Sequence, residues 1–341
     1  MVKMDMRQWN IRWSYSHATD PDDEYLVAYG AIAVLPGTSP RLLVTEEWGS
    51  PRVGWLRGDN TFLYEPETGA EGEYLIMFEY PIETPRIELV SGVGGTAALL
   101  NSSYGVRSHV FGRGNEIAAG FGPDRPALDF TVGTIDDRRV LMRADGDDDP
   151  SLTAYDLITG EQVINQWSPL QLEDHEGPWR LGRGHGRPRV AEVFENRIQL
   201  YGSDGYIESL IDMLDACACC LPIVLVFDDA AGPSLVVSRE HAGAVWCYGA
   251  SATSAPDADF VPFSGPIADY PGKVVGARLG RWRDVPVLAL RTDVGISLWD
   301  LESDEWVCHI PVPARVHDIA FGRDGTLAAI AETGPLLIDI T

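Results

Sequence analysis

The chain has few lysines and no long hydrophobic run. Of its 26 basic residues only Lys3 and Lys273 are lysine, and 51 aspartates and glutamates give a formal net charge of −25. An acidic surface of this kind argues against binding nucleic acid or anionic lipid through bulk electrostatics. No apolar stretch approaches the roughly 20 residues that a membrane-spanning helix needs. We therefore expect neither a nucleic acid nor a membrane as partner.

Cysteine is also scarce, and its number is odd. Five cysteines in 341 residues do not form the dense framework of a small disulfide-stapled domain, which favours a reducing compartment. The N-terminal segment MVKMDMRQWNIRWSY has neither an uninterrupted apolar stretch nor a small-residue cleavage site, as a secretory signal would. These observations together predict a cytoplasmic protein.

Recognised catalytic motifs are missing from the sequence. There is no GxSxG, no HExxH, no Walker loop and no GxGxxG between a strand and a helix. The seven histidines are scattered singly. The sequence therefore favours a non-enzymatic role and predicts no cofactor, although catalytic groups that converge from distant segments would escape such a search.

A motif of glycine, arginine, a variable turn and an aliphatic strand recurs along the chain. The clearest copy, GRWRDVPVLALRTDVGISLWD, begins at Gly280, and other copies begin at Gly133, Gly182 and Gly322. Successive copies are 49, 98 and 42 residues apart, and 98 is two units of 49. A period of about 40 to 50 residues with several short strands in each unit is typical of β-propeller blades.

We therefore predict an all-β, seven-bladed β-propeller that forms a single domain over residues 1–341. The segment Trp9–Tyr15 alternates apolar and polar residues, as a half-buried strand does. Because the last blade supplies only three strands of its own, we expect this N-terminal strand to close it.

Between blades four and five, an outer strand Tyr206–Ile211 is favoured over a short helix. The blades are expected at about 22–80, 86–122, 127–167, 179–212, 221–263, 273–312 and 316–341.

Two segments resemble the third strand and following turn of WD-repeat propellers, namely SLWDLESDEWV and TAYDLITGEQV. Trp299 and Asp300 match the Trp–Asp pair of that family, and Asp293 stands at its turn aspartate. Tyr155 replaces the tryptophan in blade three, and the usual Gly-His pair is absent before blade six. The resemblance, to a stand-alone bacterial-type propeller with degenerate repeats, implies a rigid platform for a protein partner. It also leads us to expect that Trp299 is buried between neighbouring blades.

Arginine and tryptophan residues near the repeat glycines form the candidate partner-binding surface. These residue types are enriched at protein interfaces, and repeat symmetry would place the equivalent arginines on one face. The alternative is that each arginine pairs with a carboxylate of a neighbouring blade. The candidate residues are Trp179, Arg183, Arg187, Arg281, Trp282, Arg283 and Arg323.

Two clusters have the side chains of metal ligands, but neither has the spacing of a recognised site. The thiol cluster is a weak zinc or copper candidate, because its members could equally be compact hydrophobes in a strand. The acidic run that starts at Asp145 resembles a calcium loop, but Pro150 stands where that loop needs glycine. We therefore predict no metal. The thiols belong to Cys217, Cys219 and Cys220.

The function predicted from these observations is a protein-interaction scaffold or adaptor, acting as a monomer on one protein partner. Two alternatives stay open at this point. One is a propeller enzyme, a hydrolase or lyase, or a metal-dependent ligand binder that acts at the central channel. The other is an acidic inhibitor or immunity-type protein for a basic partner, which rests on the net charge alone.

Overall fold

The computed structural model describes the chain as an array of β-strands. Among the described residues no helix is long and apolar enough to cross a membrane. The described residues are 9–14, 26–50, 55–68, 70–77, 86–92, 95–102, 104–112, 116–145, 151–167, 179–181, 183–184, 190–193, 197–201, 207–212, 227–228, 235–240, 244–250, 260–262, 267, 270–282, 285–322 and 325–340.

The chain divides into two compact units. The first comprises residues 1–103, 109–115 and 270–341, and the second comprises residues 104–108 and 116–269. Each unit contains four-stranded antiparallel sheets, in which most neighbouring strands are consecutive in the chain.

The first unit contains the N-terminal and C-terminal sheets. One sheet has the order β2 (Leu26–Leu35), β3 (Arg41–Ser50), β4 (Trp55–Glu65) and β5 (Ala70–Met77). Another has the order β23 (Val274–Trp282), β24 (Val285–Thr292), β25 (Gly295–Asp300) and β26 (Glu305–Pro311). The C-terminal sheet contains β27 (Val316–Phe321), β28 (Thr326–Ala331), β29 (Gly334–Ile340) and, paired with β29, β1 (Trp9–Ser14). In addition, β6 (Ile87–Gly92) pairs with β7 (Gly95–Ser102).

The second unit repeats the same pattern. One sheet has the order β10 (Asp129–Ile135), β11 (Arg138–Asp145), β12 (Ser151–Asp156) and β13 (Gln162–Trp167). The next contains β14 (Trp179–Leu181), β16 (Val190–Val193), β17 (Arg197–Tyr201) and β18 (Ile207–Asp212), so the strand favoured over a helix in this segment is confirmed. A five-stranded sheet contains β15 (Arg183–Gly184), β19 (Phe227–Asp228), β20 (Leu235–Glu240), β21 (Ala244–Ala250) and β22 (Phe260–Pro262). The strand β8 (Gly105–Gly112) pairs with β9 (Gly120–Phe121).

The C-terminal sheet is covered on both faces, which explains why β28 reads TLAAIA and is buried along its whole length. Its side chains alternate between two cores, because successive residues of a strand point to opposite faces. Leu327 and Ala329 pack with Leu298 of the β23–β26 sheet. Ala328 and Ile330 pack with residues of the β2–β5 sheet such as Ile32 and Val44. A strand that is buried on both faces requires such an uninterrupted apolar run.

Aspartates in the first strands of two sheets bind the backbone of the next sheet. Asp318 Oδ2 accepts a hydrogen bond from the Ile32 N–H at 3.1 Å, which joins β27 to β2. Asp129 Oδ2 accepts one from the Leu181 N–H at 3.1 Å, which joins β10 to β14. Each aspartate precedes its repeat glycine, Gly322 or Gly133, by four positions. The repeat seen in the sequence therefore corresponds to a repeated contact between sheets.

Two of the repeat glycines lie within strands and not in turns. Gly133 lies in β10 and Gly280 lies in β23. A Cβ atom at position 280 would be 2.0 Å from Cδ2 of Phe321 in β27. Close approach of the neighbouring sheet is therefore the physical reason for a glycine here.

The N-terminal strand is the outer strand of the C-terminal sheet. β1 runs antiparallel to β29, with Trp9 opposite Ile340 and Ser14 opposite Leu336. Trp13 also packs on Tyr64 of β4, with ring centroids 6.0 Å apart. The predicted pairing between the first and last strands is thus present; Tyr15, at the end of the predicted segment, lies outside the described residues.

Candidate functional site

The turns that carry the WD-repeat resemblance have the same geometry in two sheets. Asp300 Oδ1 accepts hydrogen bonds from the backbone N–H groups of Glu302 and Ser303, at 2.9 and 3.1 Å. Asp156 Oδ1 accepts the equivalent bonds from Ile158 and Thr159, both at 2.9 Å. Each aspartate therefore orders the turn that joins the third strand of its sheet to the fourth, which is a structural role.

The expectation that Trp299 is buried between sheets is wrong. Its side chain is only half-buried, and its Nε1–H donates to Asp304 Oδ1 at 3.1 Å. It packs edge-on against Trp306 at a centroid distance of 6.3 Å. Trp299 lies near the end of β25, beside the exposed turn, where the neighbouring sheet does not cover it. The buried tryptophan of this sheet is Trp282, whose Nε1–H donates to the Gly325 carbonyl at 2.7 Å.

The predicted surface of arginine and tryptophan is only partly described, and one of its members is not on the surface. Trp282 is 4% exposed, whereas the adjacent Arg281 is exposed. Neighbouring residues of a strand point to opposite faces, so these two side chains cannot form one contact surface. Trp179 and Arg183 lie in strands β14 and β15, but their side chains are not among those described. The predicted residues that lie outside the described residues are Arg187, Arg283 and Arg323, together with Cys217, Cys219 and Cys220.

Asp145, the first residue of the calcium-like run, is bound to an arginine. Arg143 Nε donates to Asp145 Oδ1 at 2.7 Å, and both side chains are almost fully buried. The Arg143 guanidinium also donates to the carbonyls of Phe121, Pro123 and Arg125, at 3.0, 3.1 and 2.7 Å. The Asp145 carboxylate therefore belongs to a buried hydrogen-bond network, which holds the segment before β10 in place. Over the part of the chain that the structure describes, no three acidic, histidine or cysteine side chains form a metal site.

A serine–histidine pair in the β23–β26 sheet has the spacing of a nucleophile and its base, but the serine hydroxyl is not accessible to a substrate. Ser297 Oγ lies 3.0 Å from Nδ1 of His309. Ser297 is 1% exposed, so a substrate cannot reach its hydroxyl. Burial also lowers the pKa of the His309 imidazole below its ordinary value. We therefore assign the pair to the internal hydrogen bonding of the sheet.

The most distinctive polar group of the first unit lies where β23 and β27 begin, and we call it the edge cluster. Its members share one end of two neighbouring sheets, and three of them are arginines in a strongly acidic chain. The edge cluster comprises Arg278, Arg291, Arg315, His317, Asp318 and Glu332.

Asp318 anchors the edge cluster to the fold. Arg278 in β23 approaches both carboxylate oxygens of Asp318 in β27, at 3.3 Å each. Asp318 also accepts a hydrogen bond from the Ile32 N–H. Its carboxylate therefore links the first strands of three sheets, namely β23, β27 and β2. Both side chains are largely shielded from water, with 17% of Arg278 and 19% of Asp318 exposed.

Arg291 extends from β24 across the adjacent strand because its neighbour has no side chain. Arg291 is directly opposite Gly276 of β23. A Cβ at position 276 would be 2.0 Å from the guanidinium Nη2, so only glycine leaves this path open. Burial lowers the pKa of Arg291 below its ordinary value, and nearby Asp318 opposes that effect. Its buried Nε–H has no hydrogen-bond acceptor among the described residues.

Exposed groups complete the edge cluster at the end of the C-terminal sheet. Arg315 and Glu332 are exposed, and the Glu332 N–H donates to the Arg315 carbonyl at 2.9 Å. Burial lowers the pKa of His317, the charges of Arg315 and Arg291 lower it further, and the charge of Glu332 opposes the shift. Motif analysis missed these residues because the edge cluster combines positions from separate strands, some inside and some outside the repeat motif. The available signal was arginine within otherwise apolar strands, as in VVGARLG and VPVLALRT.

Comparison with solved structures gives the fold of the chain. BBS1N, crystallised in complex with ARL6DN, aligns over 97% of both chains, with a TM-score of 0.53 and 14% identity. The Cps50 (Swd1) β-propeller domain of Myceliophteria thermophila aligns over 92% of this chain and 98% of that one, with a TM-score of 0.60 and 10% identity. Both neighbours are β-propellers, so the likeness shows a β-propeller fold. No model of a known protein family matches the chain, and no curated protein sequence matches it.

Proposed function

We propose that this protein is a protein-interaction scaffold and that the edge cluster belongs to its partner-binding surface. The observation that carries the proposal is the preorganised cationic group of three arginines, which lie in the middle of β23, near the end of β24 and immediately before β27. Asp318 and the backbone of β2 hold Arg278 in place, and Gly276 allows Arg291 to lie flat across β23. Side chains held in position before binding lose little conformational entropy when a partner arrives.

The fold neighbours are compatible with this proposal. BBS1N was crystallised in complex with ARL6DN, so a propeller of similar length binds another protein. The sheets of this chain provide a rigid support of the same type, because their cores are formed by apolar side chains packed between sheets.

The number of blades and the closure of the ring are also part of the proposal. We infer a WD-repeat-like ring of seven blades formed by one domain, which β1 closes by completing the last blade. The pairing of β1 with β29 and the packing of Trp13 on Tyr64 support this closure, since they link the first and last sheets of the chain. A closed ring leaves no unpaired sheet edge at the chain ends. We further propose a cytoplasmic monomer, with exposed Arg281 as a second contact residue.

Isolation of a native complex tests the proposed function. The tagged chain is purified from its source, the co-purifying protein is identified, and both are then reconstituted as purified components. The expected result is a stoichiometric complex in size-exclusion chromatography with light scattering, with micromolar or tighter affinity by calorimetry. Stoichiometric metal or substrate turnover in place of a complex would contradict the proposal and support an enzyme. A basic partner whose binding is lost with modest added salt would instead support the inhibitor alternative.

A further inference from the structure

The edge cluster carries more positive charge than its own acidic residues neutralise. Arg278, Arg291 and Arg315 contribute three positive charges, and Asp318 and Glu332 contribute two negative ones. The excess is one positive charge, in a chain whose formal net charge is −25. Two features hold these charges in place: the Ile32 N–H binds Asp318, and Gly276 leaves room for the Arg291 guanidinium.

Arg291 is the residue whose bonding is incomplete. Its guanidinium is largely removed from water, and its buried Nε–H has no acceptor among the described residues. An unsatisfied buried donor on a charged group is unfavourable, and buried polar groups are normally hydrogen-bonded. Asp318 does not fill this role, because it makes no hydrogen bond with this Nε–H although it binds Arg278 and Ile32. This Nε–H is closed to solvent, but the Arg291 side chain as a whole is only half-buried, so an anion can meet the part of it that stays accessible.

We propose that the edge cluster binds a carboxylate side chain of an acidic segment of the partner, with Arg291 and Arg315 as the principal ligands. This inference rests on the proposed function and adds the chemistry by which the partner is recognised. The planar guanidinium fork matches a carboxylate in two parallel hydrogen bonds. A carboxylate also matches the single excess charge, whereas a phosphate group carries nearly two negative charges and would add repulsion from Asp318.

A peptide fits the open geometry of the edge cluster better than a free small acid does. Arg315 is exposed at the end of the sheet, whereas Arg291 and Arg278 are largely shielded. One carboxylate can therefore pair with exposed Arg315 and with the accessible part of half-buried Arg291, while the rest of the segment continues over the exposed rim. The additional contacts of such a segment would supply affinity that a single small carboxylic acid lacks.

Binding of an acetylated hexaglutamate peptide to the full-length protein tests the inference. Fluorescence anisotropy at physiological ionic strength should show saturable binding despite the negative charge of both molecules, and the matched hexaglutamine peptide should not bind. Arg315→Gln, at an exposed position, and Arg291→Gln should each weaken binding by at least about tenfold. Gly276→Ala should weaken it similarly, because the added Cβ displaces the Arg291 guanidinium without changing any charge.

Arg138→Gln is the charge-matched control, since Arg138 is an exposed arginine of the β10–β11 hairpin in the other unit. It should leave the affinity for hexaglutamate unchanged. Equal weakening by Arg138→Gln, or no effect of Arg315→Gln, would overturn the inference in favour of general electrostatics. Competition by acetate or glutarate at the concentrations effective for the peptide would overturn it in favour of a small-molecule site. A native complex that forms equally well with Arg315→Gln and Gly276→Ala would also overturn it, while the scaffold function itself would stand.

Discussion

At the residue scale, the polar groups inside this protein are of two kinds. Arg143 is fully buried, and Asp145 together with three backbone carbonyls satisfies its donors. Arg291 is also shielded, but its Nε–H has no acceptor among the described residues. A satisfied buried charge stabilises a local structure, whereas a buried donor without a partner needs a further explanation, and a functional role is one such explanation. This difference separates a structural arginine from a candidate ligand-binding arginine in the same fold.

Arg143→Met should strongly destabilise the second unit. The substitution leaves the Asp145 carboxylate and the carbonyls of Phe121, Pro123 and Arg125 without their donor, and breaking a buried ion pair costs about 3–5 kcal/mol. Urea denaturation followed by tryptophan fluorescence measures the change. The control is Arg107→Met, because Arg107 pairs with an exposed Asp124 and should contribute no more than about 1 kcal/mol. Equal effects of the two substitutions would contradict the structural role of Arg143.

His309 should make stability depend on pH below neutrality. Burial lowers the pKa of folded His309 below its ordinary value of 6.5. As the pH falls below 6.5, the unfolded chain therefore binds a proton that the folded protein resists, and stability is lost until the folded pKa is reached. His309→Gln keeps an acceptor for Ser297 and removes this titration. The melting temperature of wild type relative to the variant should fall between about pH 7 and about pH 5. A difference that stays constant over this range would contradict the prediction.

At the scale of strands and sheets, aspartates recur at equivalent positions, both at contacts between sheets and in turns. Asp318 and Asp129 each bind the backbone of the following sheet, and Asp300 and Asp156 each order the turn after a third strand. Repeated short-range contacts of this kind give each sheet its position relative to the next within its unit.

Deletion of residues 1–14 should destabilise the C-terminal sheet and promote aggregation. The deletion removes the aromatic contacts of Trp9 and Trp13 and exposes the edge of β29. The expected loss is several kcal/mol, about that of a large truncation of the core, together with oligomers in size-exclusion chromatography. Ile11→Ser provides the control, because Ile11 belongs to the same strand but is 39% exposed. A truncated protein that stays monomeric and melts at the wild-type temperature would rule out a stabilising role for β1.

Gly280→Ala should destabilise the contact between the β23–β26 sheet and the C-terminal sheet. The new Cβ would overlap the ring of Phe321, and overpacking of this kind costs about 1–3 kcal/mol. The matched test is a double-mutant cycle with Phe321→Leu, which removes the ring. Gly280→Ala should be better tolerated in that background. If the cost is the same in both backgrounds, the close approach to Phe321 is not the reason for the glycine.

At the scale of the whole molecule, the dominant property is the net charge of −25. Like charges on a compact surface repel one another, and dissolved salt screens that repulsion. Surface ion pairs between described residues, such as that of Arg12 with Glu67 at 2.6 Å, are exposed to solvent and offset little of this repulsion.

Stability should therefore rise with ionic strength. The melting temperature is expected to increase as sodium chloride is raised from about 0.01 M to about 0.3 M and then to level off, because the Debye length falls to a few ångströms. Glycerol at the same osmolality is the control for excluded-volume effects. A melting temperature that falls over this range would mean that attractive ion pairs outweigh the net repulsion.

The sequence by itself determined the all-β architecture, most strand positions and the pairing of the N-terminal strand with β29. These features depend on local signals, namely alternation in Trp9–Tyr15, apolar runs such as TLAAIA, and turn residues such as Asp156 and Asp300. Each signal follows from the two-residue period of a strand or from the hydrogen bonds of one turn. Such information is contained in a few adjacent residues, so it is readable without coordinates.

Only the tertiary structure decided which side chains are buried and which charges meet. Trp282 is buried and Trp299 is half-exposed. The difference depends on which residues a neighbouring sheet packs against, and the local sequence does not contain that information. Arg278 and Asp318 are 40 residues apart in the chain, and the contact between them depends on the packing of two sheets. The candidate site was therefore beyond the reach of motif analysis, since it is formed where separate strands begin side by side and not by any continuous segment.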